Sequence, residues 1–586
     1  MLIAGAVLIL PFLVSPFTMD PALLPRFLFC SALTFLLILV LSVHLVLKPI
    51  SMNTRIIRGF LFIPLVCFLG VSFVSLTRSI NPIEGLFECL KGFLAVAFCY
   101  VTCVLLCHSE NGTLRLTQAM ILTGTSLALI GICQHIDLAF TGIPGHHNGI
   151  YATMVNKNLL ASALFLSLPF TLYGIHRLSG AWRFVSGAAA LLIFMALIMT
   201  RARAVWLGMV VSAALTLPIA AFIHKKKPSQ NAAETSSSKR VSRGLRFGVP
   251  IIVILLVWAV LSSEQKTSIP LFSSASLSER ALLWGKTLDM VKDHPFLGVG
   301  PGQWRIVLPR YGEIEKRVSS EGMVEILPQR PHNDYLWVLS ETGSLGLFFY
   351  LSFFGVTAVY SLRVIFHSDN TDHRILALLM LFGLWGYMVI AFFSFPRERI
   401  THTVFLMFIV CSILVTYHQT FPIRKRIHPA LFLLTNTLML IGLGVCIIVG
   451  YGRLQAEGHA RKAISAYRAG AWEQVIVLLD HADLRVYPLD PTSTPLSWYR
   501  GMAHFSLGHR VEALEDFKRA CLAHPYHIHS INNIGTLYAL NGDTENAIKA
   551  YRRALTLSHG FQDALENLDL LLARQVMGRE PAETYD

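Results

Sequence analysis

Arg330-Pro331-His332-Asn333-Asp334-Tyr335-Leu336 runs through Ser340-Glu341-Thr342-Gly343-Ser344-Leu345-Gly346 into an apolar stretch that ends near Leu362. A cluster of polar and ionisable side chains is thus delivered to the point where the chain enters an apolar span. Ionisable groups at the edge of a bilayer are expensive to keep, which makes them functional candidates by default. The run 336–362 is also long enough to cross a hydrocarbon core, for which about 17–25 apolar residues suffice.

Such runs recur along the chain. Of its 586 residues, 54% are hydrophobic and only 14% charged, with a mean hydropathy of +0.56, which excludes an ordinary soluble domain. About 13 spans are expected, at 1–17, 27–47, 59–76, 86–107, 117–135, 157–175, 184–200, 204–223, 247–263, 336–362, 375–394, 401–418 and 429–450. The N-terminus lacks a basic region and a small-residue cleavage site, so it reads as a first helix. The expected fold is all-α: a polytopic bundle of about 12–13 transmembrane helices. One set of short loops, including Lys48, Arg55, Arg58, Arg177, Arg183, Arg363 and Arg374, holds about 18 basic residues against about 8 in the alternate set. The richer set is expected in the cytoplasm, which places both the segment 264–335 and the C-terminal tail outside. The net charge of +14 then reads as topology and calls for no nucleic acid.

The expected organisation is spans one to nine over 1–263, an external loop over 264–335, the last four spans over 336–451 and a polar tail over 452–586. Within the first part, 224–246 is a Ser-rich basic linker. The external loop mixes Trp284, Phe296, Trp304 and Tyr311 with charges, and an amphipathic helix is expected near 278–293. In the tail, Gly501, Gly508, Ala513, Phe517 and Ala520 recur 34 residues later as Gly535, Gly542, Ala547, Tyr551 and Ala554. An earlier copy around Gly470 and Ala482 is offset by 38 residues, through an insertion near Tyr487–Pro495. This period resembles tetratricopeptide repeats, which implies a small α-solenoid. Such a solenoid is either a cap on the membrane domain or a surface for a partner.

Several polar features carry chemistry. Arg201 and Arg203 flank the turn between two spans: they either anchor at the interface or bind phosphate, for which the guanidinium fork is well shaped. Arg280 in Ser278-Glu279-Arg280 either pairs with Glu279 or joins a site. His332 lies just before a helix start capped by Asn333 or Asp334. The positive helix end would keep its imidazole neutral and able to take a proton; otherwise it only shapes the turn. Asn156-Lys157-Asn158 and Gly145-His146-His147 form a polar segment, read as lumen-lining rather than metal-binding. Cys99, Cys103 and Cys107 share one helix face, where helix packing is favoured over a metal site. Pro396-Arg397-Glu398-Arg399 makes a last basic spot, readable as an ion pair.

Taken in order, Val155-Asn156-Lys157-Asn158, Arg203 to Gly208, Arg280 to Trp284, His294-Pro295 through Gly300, His332 to Leu336 and Glu341-Thr342-Gly343 resemble the O-antigen ligase and Wzy-type polymerase superfamily of bacterial membrane glycosyltransferases. Ser394-Phe395-Pro396 is similar to members that make exopolysaccharides. The resemblance implies transfer of a glycan from an undecaprenyl diphosphate carrier to an acceptor hydroxyl at the outer face of the cytoplasmic membrane. It gives His332 the role of base and makes Arg203 and Arg280 the grip on the departing diphosphate. Arg201, Asn156, Asn158, Asn333, Asp334 and Glu341 become candidate substrate contacts. Neither metal nor cofactor is implied, and attack at the anomeric carbon would invert it. The expected partners are the carrier-linked glycan, a glycan, lipid or protein acceptor, membrane lipids and an envelope-assembly protein on the repeats. A ligase of O-antigen or surface polysaccharide leads; a polymerase, a protein O-oligosaccharyltransferase and a membrane scaffold are the alternatives.

Overall fold

The computed structural model describes residues 2–47, 61–143, 149–225, 274–312, 328–422 and 428–577. The expected span 247–263, most of the linker, and His146 and His147 lie outside the described residues. Among the described residues the regular elements are all helices, apart from an isolated bridge between Leu489 and Pro495. Ten helices are long and apolar enough to cross a membrane: Leu23–His44, Pro82–Cys107, Gly112–His135, Lys157–Arg177, Ala181–Thr200, Arg203–Ile223, Asp334–His367, Thr371–Phe393, Ile400–Thr420 and Pro429–Arg468. Phe62–Ser75 is a shorter companion. The first expected span, 1–17, is reduced to Leu2–Ile9 and a single 3₁₀ turn containing Pro11, which has no amide hydrogen with which to continue the helix. Outward-facing Leu191, Phe348 and Ile448 leave apolar surface for lipid to cover.

Alternation of the helices brings one set of ends together. Ser162 Oγ meets His402 Nε2 at 2.8 Å, and Arg26 donates to Thr401 Oγ1 at 3.2 Å. Ser75 Oγ donates to the Glu341 carbonyl at 2.8 Å. At the opposite end Arg177 pairs with Asp372 at 3.0 Å, so the expected basic loops gather away from His332. Pro429–Arg468 is one 40-residue helix that begins in the bundle and ends as the first helix of the repeat domain. The hydropathy break at 451 therefore falls inside a continuous helix, and the tail emerges at the same end as His332. Three helix pairs follow from it: its own end with Trp472–Asp480, Leu496–Ser506 with Arg510–Ala523, and Ile528–Leu540 with Thr544–Leu557; Gln562–Met577 closes the stack. The recurring small and aromatic positions meet within each pair. A methyl group on Gly501 would lie 2.8 Å from the Phe517 ring, and one on Gly535 would lie 2.7 Å from Tyr551.

Candidate active site

The histidine turn is built by local chemistry. Asn333 caps the Asp334–His367 helix, its side-chain oxygen accepting from the backbone N–H of Tyr335 and Leu336 at 2.9 and 3.0 Å. His332 precedes the cap with φ 54°, a left-handed conformation uncommon for a residue with a side chain, and its ring packs 5.2 Å from Phe395. Two residues earlier, the Arg330 guanidinium covers the same Phe395 ring at 4.7 Å.

The helix beginning at Asp334 is broken at Gly343 (φ 67°, ψ −171°). The Ser344 N–H turns away from the helix to the Pro295 carbonyl at 2.8 Å. The carbonyls this frees are satisfied by the external segment: Val299 N–H donates to Ser340 O at 2.9 Å, and Gly300 N–H to Glu341 O at 3.0 Å. Glycine is required at this crossing. A side chain on Gly343 would strike the Phe296 carbonyl, and one on Gly298 the Glu341 carbonyl. His294-Pro295 through Gly300 and Ser340 to Gly343 are thus two halves of one clasp. It holds a half-helix, Asp334–Thr342, against the Ser274–Asp293 helix of the external segment.

That external helix, which carries Arg280, meets the histidine turn through Trp284. Trp284, one turn beyond Arg280, donates its indole N–H to the Pro331 carbonyl at 2.8 Å and lies edge-on to Phe392. Arg203 opens the next element, Arg203–Lys225, which closes on Thr371–Phe393 because Gly208 admits the Gly386 carbonyl. Burial presses the pKa of Arg280 below its ordinary value; the Glu279 charge opposes this, and the lesser effect of the Arg203 charge adds to it. The charge of Arg203 is thus felt at Arg280, although 77 residues separate them in the chain. Arg201 is exposed at the end of Ala181–Thr200, with φ 51°.

The other candidates take different places. Asn156 caps the Lys157–Arg177 helix by accepting from Asn158 N–H at 2.8 Å, and Asn158 is exposed beside it. Asp334 is fully buried and accepts from the Arg397 N–H at 3.1 Å. Glu341 is buried under the clasp, where it accepts from Trp304 N–H at 3.2 Å and lies 3.8 Å from Arg397. Arg397-Glu398-Arg399 proves more than one ion pair. Arg397 stacks 4.9 Å over Trp337, Glu398 pairs with Arg330, and Arg399 reaches Asp20 at 2.5 Å. Burial alone would raise the Glu398 pKa, yet Arg330 and Arg399 hold it below the usual carboxylate value; Asp20 is held down likewise by Arg399. Sequence reasoning gave these residues little weight because their partners are distant in the chain. The cysteine stripe likewise gains Cys411, whose sulfur lies 3.7 Å from Cys99 and 3.2 Å from Cys103 in the bundle core.

Two family models match the chain. Residues 188–351 match O-antigen ligase, and residues 528–558 match the tetratricopeptide repeat. The first match contains Arg203, Arg280, His332 and Glu341, and ends before Phe395. No curated protein matches the chain. The chain is a multi-pass membrane protein in which residues 188–351 are similar to O-antigen ligase and the C-terminal helices include tetratricopeptide repeats.

Proposed function

We propose that this protein transfers a glycan from a polyprenyl diphosphate carrier to an acceptor hydroxyl at the outer face of the cytoplasmic membrane, as a ligase of O-antigen or another surface polysaccharide. The observation that carries this reading is the bond from Trp284 to Pro331. It seats the Arg280 helix on the His332 turn, while Arg203 lies close enough to Arg280 for their charges to repel. Two cations beside one potential base suit a reaction that releases a diphosphate. The acceptor oxygen bonds to the anomeric carbon as the carbon–oxygen bond to the diphosphate breaks. The hydroxyl proton passes to the His332 imidazole, and the departing negative charge is received by Arg203 and Arg280, with Arg201 nearby to assist. Attack opposite the leaving group inverts the anomeric centre. Asp334 and Glu341 act in this scheme by fixing the half-helix rather than by touching substrate.

The test is the length of carrier-linked glycan in cells lacking the protein. Long carrier-linked chains with no transferred product are expected. Accumulated single repeat units would identify a polymerase instead, and an unchanged profile would remove the enzymatic reading.

A further inference from the structure

The helix that carries Arg280, Ser274–Asp293, has a second apolar face. Its core face is Leu283, Thr287 and Met290, all buried: Leu283 and Met290 share a core with Trp304 and Trp337, and Thr287 Oγ1 accepts the Trp304 indole N–H at 3.0 Å. Ala281, Trp284, Leu288 and Val291 follow the spacing i, i+3, i+7, i+10, which gathers them on an adjoining stripe. Ala281 and Leu288 are exposed there, and Trp284 and Val291 half-buried. The remaining side is polar. On it Asp289 pairs with Lys292 at 2.8 Å, and Asp293 accepts from the Tyr311 hydroxyl at 2.8 Å.

The depth of the stripe follows from what its two ends touch. Trp284 lies edge-on to Phe392 at 5.6 Å, and Phe392 stands next to the last residue of the Thr371–Phe393 span. Beyond the helix, the Phe296 main chain lies against Gly343, the break after which residues 344–367 continue as a span. At 1.5 Å per residue that continuation extends about 36 Å, enough for a hydrocarbon core of about 30 Å. Both contacts are therefore made at span ends on the side of His332, and a segment held at both is laid along the bilayer surface. Phe296 is 70% exposed and Leu288 44%, and on the adjoining span Leu345 and Phe348 are exposed as well. The exposed apolar side chains thus continue into surface that lipid covers, with aromatic rings at the boundary, where membrane proteins concentrate them.

We propose that the Arg280 helix is an interfacial helix, whose stripe of Ala281, Trp284, Leu288 and Val291, with Phe296 beyond it, is seated in the lipid leaflet on the His332 side. Its consequence for catalysis rests on the transfer reading above. Arg280 stands one turn before Trp284, at the edge of the stripe, so it meets a lipid-borne diphosphate at the membrane surface and the carrier stays in the bilayer while it is gripped.

The full chain in lipid nanodiscs should carry a photoreactive benzophenone side chain in place of Leu288, of Phe296 or, on the polar side, of Asp289. Illumination is expected to add the mass of a phospholipid to the chain at the first two positions and none above background at the third. Attachment to a second copy of the chain, equal lipid attachment at all three positions, or none at the first two would overturn the proposal. Leu288→Asp should reduce use of a long-chain, membrane-embedded donor relative to a short-chain, water-soluble one by roughly three- to tenfold, the worth of part of a leucine side chain's burial. An unchanged ratio would overturn the role in gripping the carrier. A wild-type chain that attaches lipid at both positions yet transfers no glycan would refute the transfer reading alone.

Discussion

His332 holds a left-handed backbone at the residue before a helix cap, a conformation that costs of order 1–3 kcal/mol and persists only where surroundings enforce it. The Asn333 cap, the Trp284 bond to Pro331 and the Phe395 ring are that enforcement. His332→Ala should therefore lower transfer by about 10²–10⁴-fold, the usual worth of a positioned acid–base group, at unchanged membrane level. Arg280→Lys should fail to restore the donor affinity lost in Arg280→Ala, because an ammonium cannot grip a diphosphate through two parallel hydrogen bonds; donor titration of both variants checks this. The neighbouring carboxylates set an acid limit on stability. Folding depresses the pKa values of Glu398 and Asp20, so their contribution is complete above the unfolded carboxylate value of about 4 and is lost as pH falls through the lower folded values. The unfolding temperature in detergent should accordingly drop below pH 4, and less steeply in Glu398→Gln. A profile that stays flat to pH 3 would contradict this assignment.

At the scale of elements, the clasp between residues 294–300 and 340–344 decides whether the arginine helix meets the histidine. Gly343→Val should disengage it, because the new side chain would occupy the space of the Phe296 carbonyl. The expected readout is protease cleavage within 294–303 at protease levels that leave the wild-type chain intact, together with loss of transfer. A cap at Asn333 or Asp334 was legible in the sequence, since capping is chemistry between residues two and three positions apart, and Asn333 proves to be the one. The break at Gly343 was not: a lone glycine in an apolar helix usually signals close packing, and the segment that needs its missing side chain lies 47 residues earlier. Arg397, Glu398 and Arg399 were undervalued for the same reason, their partners being Asp334, Arg330 and Asp20. The expected first span was overestimated because hydropathy does not register the interruption at Pro11.

On the scale of the whole molecule, Glu84 ties three distant regions together. It accepts from Arg453 of the long helix leading into the repeats at 3.0 Å and from Arg305 of the external segment at 2.8 Å. Arg453→Met should destabilise the protein by about 3 kcal/mol, the lower end of the range for stranding a buried charge, because Arg305 remains. Adding Glu84→Gln should deepen that loss, because it takes the carboxylate away from Arg305; a further drop in unfolding temperature would report this. The repeats themselves were legible from their 34-residue period, because each small and aromatic pair meets within one helix pair. Their docking onto the membrane domain, through Arg305 to Asp490 and Asn81 to Ala523, leaves no periodic trace. What unites these scales is the claim that His332, Arg203 and Arg280 form one transfer site. Its most direct test is transfer from a purified polyprenyl diphosphate-linked glycan to an acceptor by the full chain in nanodiscs, wild type beside His332→Ala. Inverted product is expected from the wild type and none above background from the variant; equal product from both would contradict a single transfer site.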